Sequence, residues 1–305
     1  MKYLVIVNPT SGRGYAEESI PAIEKSLKSH ELNFELIRTE RVWHAADIAE
    51  KAARDGYDVV VTASGDGTAN EALNGLMRAR TAGFSNTAMG IIPVGTGNDL
   101  AYGMGIDDDL DEACATLAKN KRKTVDIGLV KGGDYPEGRY FGNGVGIGFD
   151  AAVGFEAEKV TWTRGLLAYL VAAMQTVFLY YKSPTVDISY NNETITQPSL
   201  MISIMNGQRM GGGFYMAPES SPNDGELDLC IASEASKLRI FQLISLFLKG
   251  TQASEPEIST GRTKEISVKA IKGTLPAHCD GETLCYEGTE LDIELIPQAL
   301  NFITT

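Results

Sequence analysis

The stretch Val59-Val60-Val61-Thr62-Ala63-Ser64-Gly65-Asp66-Gly67-Thr68-Ala69-Asn70-Glu71-Ala72-Leu73 constrains this chain more than any other. A run of β-branched apolar residues stops at an acid bracketed by glycines, and a helix-forming segment follows at once. Apolar on both faces, the run is expected to be a strand buried within a parallel sheet. Gly65 and Gly67 permit positive φ angles and close backbone approach. Thr68 is expected at the helix start, where unpaired N–H groups and the positive end of the dipole favour an anion. Asp66 cannot face a phosphate without a cation between them. From these residues alone two readings stand: a phosphate site with its magnesium, or a tight Gly-Asp-Gly turn with a capping threonine.

The same alternation runs through the first 100 residues. Lys2 to Val7 reads as a strand that ends in the turn formers Asn8-Pro9-Thr10-Ser11-Gly12-Arg13-Gly14. Ile20, Ile23 and Leu27 mark an amphipathic helix, Phe34 to Ile37 a short strand running into Thr39, and Ala45 to Ala52 a second helix closed by Asp55-Gly56. The Val59 strand and its helix through Leu76 come next, and Ala88 to Ile92 leads into Pro93-Val94-Gly95-Thr96-Gly97-Asn98-Asp99-Leu100. Strand and helix in turn imply a parallel α/β sheet, with its ligand crevice at the carboxyl ends of the strands. Loops 8–14, 64–68 and 95–99 are therefore expected on one rim.

At 305 residues the chain exceeds one usual domain, so two are expected. The division is placed at 1–123 and 124–296, with 297–305 as a tail that returns to the first domain. A 43% hydrophobic content with 22% charged residues fits an ordinary globular protein. Cys114, Cys230, Cys279 and Cys285 lack a C-x-x-C pairing, which favours buried reduced thiols over a metal or disulfide framework. No signal peptide is visible in Met1 to Val7, so a cytoplasmic protein is expected. The net charge of −13 argues against nucleic acid, since phosphate neutralisation needs a concentrated basic face. The basic cluster Lys119, Lys121, Arg122 and Lys123 suits a helix C-terminus, with weak attraction to anionic lipid as a second use.

From about Thr124 the pattern changes. Val125 to Val130 and Tyr140 to Ile147 read as strands with glycine interruptions, and Thr185–Tyr190, Ser199–Met205, Leu227–Ala232, Glu265–Ile271 and Leu291–Ile296 as further strands. Leu166 to Tyr181 and Leu238 to Leu248 read as apolar helices. The expected architecture is thus an α/β N-terminal domain with a parallel sheet, and a mainly antiparallel β C-terminal domain with helical insertions. The 166–181 stretch, flanked by Arg164 and Lys182, falls short of the roughly 20 residues that span a bilayer and holds Gln175, so no transmembrane segment is expected. A buried helix and one lying at a lipid surface both fit it. Exposed sheet edges would also allow a homodimer.

Together these loops resemble the diacylglycerol kinase catalytic family, which includes bacterial soluble lipid kinases and is related to sphingosine and ceramide kinases. Asn8-Pro9-Thr10-Ser11-Gly12 is similar to the family's first nucleotide loop. Ser64-Gly65-Asp66-Gly67-Thr68-Ala69-Asn70-Glu71 resembles its G-G-D-G-T-x-N-E signature, with serine for the first glycine, and Pro93 to Ala101 resembles P-x-G-T-x-N-D-x-A. The likeness implies that ATP contacts Asn8, Pro9, Thr10, Ser11, Gly12, Thr39, Gly65, Asp66, Gly67, Thr68, Ala69, Asn70, Glu71, Thr96 and Asn98. It also implies an active site in the cleft between the two domains, with Asp66 and Asp99 holding a catalytic magnesium.

The second half carries matching marks. Asn206, Gly211 to Gly213, Ala217-Pro218 and Asn223 to Asp228 resemble the segment that holds a structural magnesium in bacterial lipid kinases, its ligands being the Asp224 side chain and the carbonyls of Ser221 and Glu226. Cys279-Asp280-Gly281-Glu282 is similar to the family's terminal D-G-E, whose glutamate is the proposed general base. Glu282 and Asp66 are accordingly the expected catalytic residues, with ATP and Mg2+ as cofactors. The implied partner is a lipid alcohol, most simply diacylglycerol, met by transient peripheral contact with a membrane. A sphingoid-base kinase, a kinase of the NAD kinase kind and a non-catalytic nucleotide-binding module are the alternatives.

Overall fold

The computed structural model describes residues 1–160, 162–163, 166–179 and 183–305. The chain forms two compact units, Met1–Ile127 with Pro297–Thr305, and Gly128–Ile296. The first holds β1 (Tyr3–Val7), α1 (Tyr15–Ser29), β2 (Phe34–Arg38), α2 (His44–Arg54), β3 (Val59–Ser64), α3 (Asp66–Thr81), β4 (Ala88–Pro93), α4 (Asp99–Gly103), α5 (Leu110–Lys119) and the start of β5 (Arg122–Gly132). Its sheet has the order β4-β3-β1-β2, all parallel. β1, β3 and β4 are buried along their whole length, while β2, at the edge, alternates. Each fully buried valine of β3 contributes about 1.5–3 kcal/mol relative to exposure. The chain winds outward from β1 in both directions, so the β1/β3 boundary is the switch point at which crevices form in such sheets.

Helix packing follows small residues. The alanine face of α2 (Ala45, Ala46, Ala49, Ala52) is buried, and a Cβ on Gly75 of α3 would lie 2.1 Å from the Ala46 carbonyl oxygen. Two helices meet there backbone to backbone, which only glycine permits. On another side, Ile20, Ile23 and Leu27 of α1 join Cys114 and Leu117 of α5 in one core. The basic cluster divides: Lys119 ends α5, Asn120 caps it in the left-handed region, and Arg122 and Lys123 lie in β5.

The second unit continues β5 and adds β6 (Tyr135–Phe141), β7 (Gly144–Gly148), α6 (Phe149–Lys159), α7 (Leu166–Leu179), β8 (Thr185–Tyr190), β9 (Glu193–Met205), β10 (Leu227–Ser233), α8 (Lys237–Phe247), β11 (Ile258–Thr263), β12 (Glu265–Lys272), β13 (Leu275–Cys279), β14 (Glu282–Gly288) and β15 (Glu290–Ile303). The pairings of β7 to β14 are antiparallel, and β9 belongs to two sheets: its first half pairs β8, its second half β7 and β10. Apolar side chains of both sheets, among them Val145, Ile202, Ile204, Val186, Ile188 and Val268, fill one core. On the opposite face Met201 and Met205 pack with α6, α7 and α8 in a second core. The period of two thus assigns neighbouring residues of β9 to different cores.

Several expectations need correction. Tyr140 to Ile147 is not one strand, because Gly142 and Asn143 turn the chain between β6 and β7. Helix α6 and strands β11, β13 and β14 were not expected, being short or rich in glycine and polar residues. Met210 and Phe214 pair across a turn with Gly211 and Gly212 at φ 62° and 75°. Arg164, Tyr180, Tyr181 and Lys182 lie outside the described residues. The four cysteines are buried and free, and burial pushes the thiols of Cys114 and Cys230 up to about 11 and 12. None of the described helices is long and apolar enough to cross a membrane.

Candidate functional site

Since β1, β3 and β4 are parallel, the loops after them open on the same edge of the first unit. Side chains and backbone then lock these loops together. Asn8 Nδ2 donates to Thr68 Oγ1 at 2.8 Å, and its Oδ1 accepts from the Thr10 amide and hydroxyl at 3.1 and 2.9 Å. The Gly65 amide donates to Ser11 Oγ at 3.4 Å. Gly12 has φ 58°, and a Cβ on it would stand 2.4 Å from the Val94 carbonyl oxygen. A Cβ on Gly95 would come within 2.2 Å of Gly65 Cα. Asn98, at φ 53°, returns its Oδ1 to the Gly95 amide at 3.0 Å and caps α4.

Asp66 stands at the centre of this rim. It is the first residue of α3, half-buried, and its Oδ1 accepts the Leu100 amide of α4 at 3.0 Å. The N-termini of α3 and α4 are thereby gathered around one carboxylate. Asp99, the first residue of α4, is buried. Backbone amides and two helix N-termini favour an anion, while the carboxylate repels it unless a cation lies between. The donors are oxygens, which suits a hard divalent cation carried by a polyphosphate. Thr39 approaches the same edge, its amide donating to the Val7 carbonyl at 2.8 Å, and Thr96 is exposed at the tip of its loop.

Other expected residues have different surroundings. Gly65 lies at φ −94°, so closeness to Gly95 rather than a positive φ requires glycine there. The helix starts at Asp66, which puts Thr68 inside its first turn. Ala69 and Asn70 are buried, with Asn70 Oδ1 accepting from Asn74 Nδ2 at 3.2 Å. Glu71 accepts the amides of Trp43 and Ala45 at 2.7 and 3.2 Å, holding the N-terminus of α2. These three shape the rim from beneath it.

In the second unit Asp280 and Gly281, at φ 45° and 83°, make the tight turn between β13 and β14. The Asp280 carboxylate is buried and accepts three amides, from Gly142 at 2.8 Å and from Asn143 and Gly144 at 2.9 Å. That clasp fixes the hairpin to the turn between β6 and β7. Glu282 follows as the first residue of β14, with its side chain 40% exposed. Its Oε2 lies 3.6 Å from Nη2 of Arg139, a guanidinium only 2% exposed that also donates to the Tyr135 hydroxyl at 2.8 Å. The carboxylate is thus accessible and held on one side by a buried cation.

The segment expected to hold a structural magnesium has an arginine among its acids. Asp224 Oδ2 is bonded to Nη2 of Arg262, while its Oδ1 accepts the Glu226 amide at 3.2 Å. The Ser221 carbonyl accepts the Asn223 amide at 2.8 Å. Arg262 also reaches Glu226 Oε2 through Nη1 at 3.0 Å and Asp228 Oδ1 through Nε at 3.4 Å. Asp224 and Glu226 thus face a guanidinium, with Ser221 bonded to Asn223.

A narrow apolar cavity of about 50 Å³ lies between the second-unit sheet and its helices, lined by residues that include Val153, Ala173, Met201, Phe214 and Leu243. Asp150, at the start of α6, is the one charged residue among the described residues that line it. Asp150 Oδ2 accepts from Ser203 Oγ at 3.2 Å, and Oδ1 stands 3.7 Å from His278 Nε2. A Cβ on Gly146 would meet both Asp150 Oδ2 and His278 Nε2 at 2.4 Å, so glycine lets the two cross the sheet. Asp150, Arg139 and Arg262 were missed from sequence. The alternating Gly144, Gly146 and Gly148 just before Asp150 were a usable signal; the two arginines gave none.

A parallel α/β unit with an amide-lined rim, joined in sequence to an antiparallel β unit with a poised acid, defines a phosphotransferase that acts on an alcohol group. The diacylglycerol kinase catalytic domain matches residues 2–130, and the YegS C-terminal NAD kinase β-sandwich-like domain matches residues 143–304. Over 283 residues the chain is 30% identical to a diacylglycerol kinase of Bacillus subtilis, covering 91% of this chain and 88% of the relative. It is 27% identical over 303 residues to a diacylglycerol kinase of Mycobacterium tuberculosis, with 99% and 94% covered. In fold it is similar to a crystal structure of a diacylglycerol kinase from Bacillus anthracis, at a TM-score of 0.75 and 22% identity over 100% and 97% of the two chains. A yeast NADH kinase shares the fold more distantly, at a TM-score of 0.50 and 11% identity over 100% and 84%. The chain belongs to the diacylglycerol kinase family.

Proposed function

We propose that the protein transfers the γ-phosphate of ATP to the free hydroxyl of diacylglycerol, giving phosphatidic acid. The observation that carries this reading is the rim of the first unit, where Gly65 abuts Gly95 and two helix N-termini meet at Asp66. Phosphoryl transfer is chiefly positioning and neutralisation of charge. In this reading the amides of the 8–12, 65–68 and 95–98 loops cradle the phosphates. Asp66, supported by Asp99, would hold the nucleotide's magnesium, which supplies charge neutralisation when bound. Glu282 takes the proton from the attacking hydroxyl, and Arg139 keeps its carboxylate in place. Asp280 fixes the hairpin that carries Glu282.

The second unit supports a lipid acceptor. Asp150, at the wall of its apolar cavity, suits the polar head of an alcohol. Leu167, Met174 and Phe178 form an exposed stripe on α7, beside exposed Leu238 on α8, with Lys237 over the Phe178 ring at 5.6 Å. Apolar side chains beside a cation suit transient contact with an anionic membrane. The test is radiolabelled ATP offered with diacylglycerols of graded acyl length, sphingosine and NAD in parallel. Labelled phosphatidic acid, with transfer rising with chain length, is the expected product. Labelled sphingosine phosphate or NADP would replace the acceptor, and ATP binding without any transfer would end the kinase reading.

A further inference from the structure

We infer that Arg262 is the built-in cation of the loop before β10 and takes the place of a structural magnesium in this chain. The register puts it there: Asp228 of β10 and Arg262 of β11 are direct partners on neighbouring antiparallel strands. From that position its three kinds of nitrogen face three acids, Nη2 to Asp224, Nη1 to Glu226 and Nε to Asp228. A guanidinium presents its donors in a rigid planar fork and keeps its charge at any physiological pH, so it can bridge several carboxylates as a metal ion would. The backbone of β11 is anchored as well, the Arg262 carbonyl accepting from Asn191 Nδ2 at 2.9 Å. Both Asp224 oxygens already have partners, as does the Ser221 carbonyl, so a magnesium would have to displace the arginine to enter.

This inference is independent of the acceptor and of catalysis. It is tested on the full chain without nucleotide, by thermal unfolding in EDTA and in millimolar magnesium, and by metal content after gel filtration. The wild-type midpoint is expected to be the same in both media, with equal magnesium content in wild type and Asp224→Ala. Arg262→Gln should unfold earlier in EDTA and recover by several degrees in magnesium, because the three acids then lack a cation. Arg262→Lys, a point charge without the fork, should fall between. A wild type that loses several degrees in EDTA, or that holds one more magnesium than Asp224→Ala, would overturn the inference. So would an Arg262→Gln protein equally stable in both media. Should neither arginine variant fold, the wild-type and Asp224→Ala metal contents alone decide the matter.

Discussion

Asp66 and Glu282 are both half-exposed acids at the first position of a regular element, yet they are held by different means. Around Asp66 stand backbone contacts: the Leu100 amide, the Gly65–Gly95 abutment and the Gly12–Val94 approach. Around Glu282 they are side chains reaching across the unit: Arg139 beside it, and Asp280 beneath it on three distant amides. A rim made of amides and helix ends presents fixed partial positive charge to an anion without flexible groups that must reorganise. At Glu282 a neighbouring guanidinium holds a single carboxylate in place. The rim around Asp66 is therefore sensitive to added volume, and the setting of Glu282 to lost charge.

The largest effect is expected at Asp66. Asp66→Ala removes a carboxylate that ties α3 to α4 and an expected metal donor, so transfer should fall to background in a labelled-ATP assay. Full activity in this variant would remove Asp66 from the reaction. Glu282→Gln tests the other side of the comparison. It keeps the shape and loses the basicity, so kcat should drop by about 10²–10⁴-fold, the range for general-base loss, while ATP affinity measured by calorimetry stays unchanged. Weakened ATP binding with kcat preserved would assign Glu282 to the nucleotide instead.

Gly95→Ala comes next. Its methyl would sit 2.2 Å from Gly65 Cα and 2.9 Å from Gly65 N, atoms that cannot yield without moving the loop before α3. ATP affinity should fall by at least about tenfold, equivalent to 1.4 kcal/mol. An unchanged affinity would show that the abutment is not what shapes the rim. Asp280→Asn should act mainly on stability. It replaces one acceptor oxygen by an amide group facing buried N–H donors, at a cost of about 1–3 kcal/mol. Thermal unfolding should begin several degrees earlier with ATP affinity intact, and an unmoved midpoint would argue against the clasp.

The same contrast explains what sequence could reveal. The rim was legible because its parts are local: a strand, a glycine, an acid and a helix start lie within ten residues of one another from Val59 to Thr68, and three loops repeat the pattern. The inward placement of Asn70 and the α2 contact of Glu71 were not legible, since both depend on which face α3 buries. In the second unit the break at Gly142-Asn143 is set by Asp280, 138 residues away from Gly142, and no window of sequence contains both. Arg139 looks like any polar residue of a strand until Tyr135 and Glu282 are placed beside it. Arg262 acquires its partners only through the β10–β11 register.

The smallest expected effect sharpens the comparison by repeating one chemical change in the other unit. Gly154 lies inside α6, has no positive φ, and a Cβ added to it would meet none of the described residues within 4 Å. Glycine in a helix interior is less favourable than alanine by about 0.8–1 kcal/mol, because the unfolded chain loses more freedom on ordering it. Gly154→Ala should therefore raise stability by up to about 1 kcal/mol, read as a midpoint about 2–4 °C higher in thermal unfolding, with ATP affinity unchanged. The identical methyl that disrupts the rim at Gly95 is accommodated here, because the side of α6 carrying Gly154 faces open space rather than another backbone. A lower midpoint for Gly154→Ala would mean that this side of α6 is packed against something, and the contrast with Gly95 would fail.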